Sequence, residues 1–195
     1  RGLGDVYKRQ VTAYRSVGIA ARQVYTPRWA HCDDNHAWVE VFVDGEWHFL
    51  GACEPEEVLD TGWFSGPANR AILIHTRNFS DYVKESNEEY LGKEGALYYF
   101  NHTDFYGRTK LVKILVKDEN GKPAAGAHIA VEILNMAEFF PAAVMIADAD
   151  GEVRMTLGLG DIRVRAFDGI RRAEARMRIE EEDSLELVLL SLIHI

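Results

Sequence analysis

His36 is the side chain of this sequence best suited to proton-transfer chemistry. It follows the polar run Asp33-Asp34-Asn35 and opens an alternating segment, residues 36–43, whose period of two predicts a strand. A histidine at the mouth of a strand fits a general base held against a cleft, because its ordinary pKa lies close to neutral pH. The residue alone leaves open the alternative of a histidine buried for structural reasons.

Two groups of side chains carry metal-compatible atoms. The first is His31, Cys32, Asp33, Asp34 and His36. Zinc sites on loops usually add a distant second pair of ligands, and no such pair stands out in the sequence, so we expect no metal there. The second group, Asp148 and Asp150 before Gly151, matches only part of a calcium loop, and a β-turn is the expected structure.

Asp44-Gly45 predicts a hairpin turn between strands at residues 36–43 and 46–50. If the loop has two residues, Val43 pairs with Glu46, and His36 then lies opposite Cys53 on one face of the ribbon. Cys53 could therefore act as a substitute nucleophile. A cysteine at a strand end lacks the helix dipole that favours a thiolate, and a small buried apolar residue is the alternative.

Two segments of the chain resemble motifs of a known family. Gly18-Ile19-Ala20-Ala21-Arg22 and His36-Ala37-Trp38-Val39-Glu40-Val41 are similar to the second and third motifs of the transglutaminase-like superfamily, a papain-like group of thiol enzymes. The resemblance covers residues 11–73. It implies that His36 is the base of a Cys-His-Asp/Glu site that acts on protein or peptide amides and needs no cofactor.

The same resemblance places the nucleophilic cysteine near Leu3 and Gly4, where this sequence has none. We therefore expect a bacterial-type thiol acyltransferase or cysteine peptidase as the parent protein, and an inactive chain as printed. The hypothesis of a noncatalytic module that binds a peptide or a glycan stays open beside it. So does a structural spacer or adhesion role for the second half of the chain.

The third catalytic position departs from the family pattern. Gly51 stands where the resemblance places the aspartate that orients the imidazole. Glu54 is the candidate orienting acid, Glu56 and Asp60 are weaker candidates, and a surface role is the alternative for all three. Trp29 and Trp38 are the candidate substrate-binding residues, with a role in capping the core as the alternative. These two tryptophans have aromatic faces that suit an acyl-transfer cleft.

The apolar period of the first helix begins only at Val11, and Gly18 is its expected stop. Residues 1–10 and 191–195 resemble translated sequencing-adapter sequence, so we expect non-native tails and a truncated reading frame; frayed ends are the alternative. Between them, Pro27 ends a strand at residues 21–25. A strand at residues 68–75 and a helix at 80–89 are also predicted.

The second half of the chain alternates between short apolar runs and turn dipeptides. Strands are predicted at residues 111–117, 128–134, 153–157, 162–167, 171–179 and 185–190. The pattern resembles the carboxypeptidase regulatory-like or immunoglobulin-like modules of bacterial extracytoplasmic enzymes, which favours a secreted or cell-envelope location. The expected fold class is thus α+β: a partial papain-like domain at 11–101, a linker at 102–109 and an all-β sandwich at 110–190.

The composition of the chain limits the kinds of partner that we expect this protein to bind. A net charge of −9 argues against a broad electrostatic contact with nucleic acid. No run of apolar residues is long enough for a membrane span. Two cysteines are too few for a disulfide framework. A protein or peptide substrate remains the expected partner.

Overall fold

Strands dominate this chain. The computed structural model describes residues 3–52, 56–79 and 88–191, which form fourteen strands and three helices. Two of those helices have only four residues each. The expected α+β papain-like fold class is therefore wrong: the chain is mostly β, with largely antiparallel sheets. The one long helix among the described residues lies near the N terminus, and strands make up most of the rest.

The long helix, α1, spans Leu3–Ser16, so it begins well before Val11, where its apolar period was predicted to start. Tyr7, Val11 and Tyr14 recur at helical spacing and pack on a small core with Ala21 and Val39, among others. Packing of this face extends the helix beyond the short periodic run. Gly18 has a φ of 84° and ends the helix, as predicted.

Six strands form an antiparallel sheet, here called the N-terminal sheet, in the order β3-β2-β1-β4-β6-β5. Their bounds are β1 Ala21–Thr26, β2 His36–Val43, β3 Glu46–Leu50, β4 His75–Asn78, β5 Glu89–Glu94 and β6 Leu97–Asn101. The predicted hairpin is confirmed, since Val43 pairs with Glu46 and Val39 with Leu50. Cys53 lies outside the described residues, so its predicted pairing with His36 stays a prediction.

Part of the segment between the hairpin and the sandwich was predicted wrongly. Residues 68–75 are not a strand: helix α2, Ser65–Ala68, precedes an irregular stretch, and β4 begins only at His75. The predicted helix at 80–89 falls mostly outside the described residues, and Glu89 begins β5. The expected linker contains helix α3, Thr103–Tyr106, because Thr103 and Tyr106 are buried there.

Eight strands form two further sheets, which follow the orders β10-β7-β13 and β14-β12-β11-β8-β9. Their bounds are β7 Thr109–Lys117, β8 His128–Asn135, β9 Glu138–Ile146, β10 Glu152–Gly158, β11 Asp161–Phe167, β12 Arg171–Arg178, β13 Ser184–Val188 and β14 Leu190–Ser191. Apolar side chains from both sheets form one core, the arrangement of a β-sandwich. Strand β9 has no counterpart among the predicted strands.

The N-terminal sheet and the sandwich are packed together. Ile72 and Leu73 are fully buried in the core of the sandwich, and the Gly158 amide donates to the Ile72 carbonyl at 2.9 Å. A Cβ on Gly158 would lie 1.9 Å from the Ala71 carbonyl oxygen, so glycine permits this close backbone approach. Within the described ranges, no helix has the length and apolar character that a membrane crossing requires.

Candidate functional site

A cleft of about 760 Å³ opens at the start of β2. Its walls include His36, Trp29, Trp63, Cys32, Asp34 and Arg77. Helices α1 and α2, the strands β1, β2 and β4, and the loop before β2 all contribute to it, so its shape depends on the packing of the N-terminal sheet. This cleft contains the predicted catalytic histidine.

Aromatic rings surround the His36 imidazole. Ring centroids lie 4.7 Å away for Trp63, 5.1 Å for Phe64, 5.8 Å for Trp38 and 6.2 Å for Trp29. Trp63 is 57% exposed, so one ring of this group faces solvent at the cleft. Sequence reasoning did not identify Trp63 and Phe64, because they lie in a segment without a clear period.

Burial lowers the pKa of His36, and the negative charge of Asp34 opposes that change. Burial acts in this direction because it disfavours the charged imidazolium. At neutral pH His36 is accordingly neutral, which is the form that accepts a proton. This electrostatic setting suits a base.

The candidate orienting carboxylates do not meet His36 in the described part of the chain. Asp60 instead lies 2.7 Å from His48 Nδ1 and accepts a hydrogen bond from the Phe49 amide. Glu56 is exposed. Glu54 lies outside the described residues, so its role stays a prediction. Among the described residues, the Asp34 carboxylate is the charge that raises the pKa of His36 against the effect of burial.

The two candidate substrate-binding tryptophans occupy different positions. Trp29 is 2% exposed, and it lines the cleft. Trp38 is fully buried, and its indole N–H donates to the Tyr106 hydroxyl at 2.8 Å. Both belong to one aromatic core that includes Phe64. In this conformation Trp38 has no free surface, and any ligand contact from this pair would come from Trp29.

The loop before β2 is fastened to the sandwich. Asn135 donates from Nδ2 to the carbonyl oxygens of Trp29 and Cys32, at 2.9 and 2.8 Å, and its Oδ1 accepts from the Asp34 amide at 3.3 Å. The Asp33 carboxylate accepts from the Met136 amide at 2.6 Å. One wall of the cleft is therefore held in place by the turn between β8 and β9.

No metal-binding cluster occurs among the residues that the structure describes. In the group of five metal-compatible residues, Asp33 is engaged by the sandwich, while His31 and Cys32 are exposed. In the second group, Asp148 Oδ1 accepts the amides of Asp150 and Glu152, at 2.9 Å each. Those two bonds make a turn, as the sequence predicted.

A buried polar network underlies the cleft, and sequence reasoning did not find it. Arg22 Nε lies 2.6 Å from Glu40 Oε2, and both side chains are almost completely buried. His102 Nε2 lies 3.2 Å from Glu40 Oε1, and the Tyr106 hydroxyl also donates to that oxygen. The two sequence segments that drew attention to His36 therefore meet each other through an ion pair.

The network keeps Glu40 ionised. Burial raises the pKa of this carboxyl, but the hydrogen bonds and charges of His102, Arg22 and Tyr106 outweigh burial, and the pKa is lowered overall. Burial and the neighbouring carboxylate raise the pKa of Tyr106 well above its ordinary value. Glu40 is thus fully occupied by its partners. Its role is to position β1 and β2.

Comparisons with known proteins agree with part of this picture. The family described as "Transglutaminase-like superfamily" matches residues 6–52, which include most of α1, strand β1 and the hairpin of β2 and β3. No curated protein matches the chain. A solved "Structure of the Streptococcal ancillary pilin" is similar at 12% identity and a TM-score of 0.36, over 95% of this chain and 66% of the pilin. The chain spans less than two thirds of that protein, and a TM-score this low carries no conclusion.

Proposed function

We propose that residues 6–52 carry the histidine half of a transglutaminase-like acyl-transfer site on a mostly β chain. The observation that supports this proposal is the placement of His36: it lies within the matched segment, borders a cleft, and has a lowered pKa. A neutral imidazole beside a cleft can accept the proton of a thiol and later return it to a leaving group.

The chemistry that such a site performs is transfer of an acyl group from a protein or peptide amide. A cysteine thiol gives its proton to the imidazole, and the thiolate attacks the amide carbon. The C–N bond then breaks, and the amine leaves with the proton from the imidazolium. Water or a second amine finally takes the acyl group from sulfur. His36 is the proposed proton carrier in both steps.

The thiol is the part that α1 does not supply, because its sequence contains no cysteine. Cys32, which is exposed, is the free cysteine among the described residues. We therefore expect the chain as printed to bind a peptide in the cleft without forming an acyl-enzyme. Adding a thiol at Leu3 or Gly4, where the family resemblance places it, should restore covalent chemistry that depends on His36.

The test uses Leu3→Cys and Gly4→Cys, each with and without His36→Gln. The probe is a glutamine-glycine dipeptide blocked at its N terminus, and intact mass spectrometry detects the acyl-enzyme. We expect an adduct in one cysteine variant and none in its His36→Gln counterpart. An adduct that forms equally without His36, or no adduct in either cysteine variant, would contradict the acyl-transfer proposal.

A second candidate function is a noncatalytic peptide-binding module. One observation favours it: in the described part of the chain, no carboxylate is hydrogen-bonded to His36, whose surroundings are aromatic. Aromatic walls bind peptides by packing and need no base. Retention of dipeptide binding in His36→Phe, together with absence of any adduct in the cysteine variants, would favour this second function.

A further inference from the structure

A second cleft, of about 410 Å³, lies between the N-terminal sheet and β9. His75 and Arg77 of β4 and Tyr99 of β6 line one side, and Phe140 and Pro141 of β9 line the other. Clefts between packed units are common places for ligands, because two surfaces contribute different side chains. The two clefts share Tyr25 and Arg77 as wall residues, but His36 lines only the first, so binding in the second cleft does not depend on the proposed acyl-transfer chemistry.

Arg77 is a cation without an acidic partner in the described ranges. Its guanidinium stacks over Tyr25, 4.0 Å from the ring centroid, and lies 5.8 Å from Tyr99. Its Nε is buried and has no hydrogen-bond partner. A guanidinium held flat on a ring keeps its edge available for planar anions, and carboxylates fit that edge through two parallel hydrogen bonds.

His75 supplies a second polar group with unused capacity. It is 5% exposed and lies between Tyr25 and Tyr99, whose ring centroids are 5.6 and 5.2 Å away. Its Nδ1 has no hydrogen-bond partner. Buried polar atoms are almost always hydrogen-bonded in proteins, so an unpaired ring nitrogen in a cleft wall indicates a missing partner.

The charges in this cleft favour an anion. Arg77 and Lys93 are its cations, and Glu94 is its carboxylate. Glu94 is engaged with the Tyr99 hydroxyl at 3.0 Å. The positive charges therefore exceed the negative one. Leu91, Pro141 and the tyrosine rings give the remaining surface an apolar character, which suits the hydrocarbon part of a ligand.

We infer that this cleft binds a carboxylate-bearing ligand, with Arg77 receiving the carboxylate and His75 Nδ1 hydrogen-bonding the ligand beside it. Two sources share that chemistry: a free small acid and the C-terminal carboxylate of a peptide. The cleft would take an apolar or aromatic group next to the carboxylate, since its other walls are apolar.

The experiment compares acids with their amides by calorimetry. The probes are phenylacetate and phenylacetamide, and the tripeptide acetyl-Ala-Ala-Phe with a free or amidated C terminus. We expect each acid to bind about tenfold to a hundredfold more tightly than its amide, the range for a hydrogen bond to a charged group. Tighter binding of phenylacetate would identify a small acid as the source, and tighter binding of the tripeptide would identify a peptide terminus.

Substitutions then test whether Arg77 is the residue that receives the carboxylate. Arg77→Gln should weaken acid binding by a similar factor, and Arg77→Lys should weaken it less. Arg108→Gln, which changes an exposed arginine, is the matched control and should leave binding unchanged. His36→Gln should also leave it unchanged, which separates this site from the proposed acyl-transfer function. Equal affinity for acid and amide, no binding of either acid at 10 mM, or full affinity in a folded Arg77→Gln would overturn the inference.

Discussion

Replacing His75 with phenylalanine should make the protein more resistant to acid. Burial, and to a smaller extent the charge of Arg77, lower the pKa of His75 to about 3, although a backbone hydrogen bond with Thr76 opposes both. The unfolded chain binds a proton at this histidine near pH 6.5, whereas the folded chain does not. Wild-type stability should therefore be complete above pH 6.5 and should fall as the pH drops toward 3.

The size of the effect follows from the two pKa values. They are separated by about 3.5 pH units, and each unit is worth about 1.4 kcal/mol, so the full loss is about 5 kcal/mol. At pH 4.5, about two units below the unfolded value, the loss is about 2.7 kcal/mol. Phenylalanine has no proton to bind, and it keeps the ring contacts with Tyr25 and Tyr99. The variant therefore avoids this loss.

Urea denaturation at pH 7.5, 5.5 and 4.5 measures the difference in unfolding free energy between His75→Phe and wild type. A change in packing shifts all three values equally, so the informative quantity is the growth of the difference toward low pH. His128→Phe, at an exposed position on β8, is the control. A difference that stays constant from pH 7.5 to 4.5 would refute the reasoning that His75 is buried and neutral.

Three further substitutions test the scaffold of the cleft by urea denaturation or hydrogen exchange. Glu40→Ala should cost about 3 kcal/mol, because it removes the fully buried partner of Arg22 and leaves Glu88, 2.9 Å away, as the ion-pair partner of this guanidinium; a loss under 1 kcal/mol would contradict the Arg22–Glu40 ion pair. Gly158→Ala should cost about 1–3 kcal/mol through a clash with the backbone of residue 71, whereas Gly66→Ala, with open space around it, should be neutral or slightly stabilising. Asn135→Ala should speed amide exchange in residues 29–34 while leaving β11 protected, since it removes the bonds to that loop.

The sequence predicted the hairpin correctly because its turn chemistry is local. Asp44 and Gly45 have φ values of 53° and 91°, the left-handed conformation that this residue pair adopts easily. Gly18 ends α1 for the same reason. In both places the residue types themselves favour the observed backbone, so no distant contact is needed to specify it.

Strand β9 was missed because its turn has no such residues. Met136 and Ala137 connect β8 to β9 with φ values of 52° and 60°, in a conformation that these side chains rarely adopt. Pro141 lies within β9, where it pairs with Glu132 beside a register shift. Proline is tolerated because β9 is an edge strand. Because its turn has no glycine and its second strand contains a proline, this hairpin does not match the sequence patterns that identify hairpins.

Only part of the cleft could be predicted from the sequence, and the reason differs from the one that applies to β9. His36 was identified because it begins a regular strand whose residues 36–41, together with residues 18–22, resemble motifs of the transglutaminase-like superfamily. Trp63 and Arg77 reach the same cleft, and buried Phe64 contacts His36, from segments with no clear period, so their positions depend on packing between distant parts of the chain. Long-range placement of this kind leaves no local signal in the sequence.

The buried network also changes how the two motif-like segments should be interpreted. Arg22 and Glu40 belong to those two segments, and they form a buried ion pair and are absent from the walls of the cleft. The β1–β2 pairing that joins them also fixes the start of β2, where Thr26 pairs with His36. His36 is thus the one titratable residue of the two segments that reaches the cleft. The matched residues 6–52 therefore contain both this buried ion pair and the histidine at the cleft, and the proposed acyl transfer depends on the histidine.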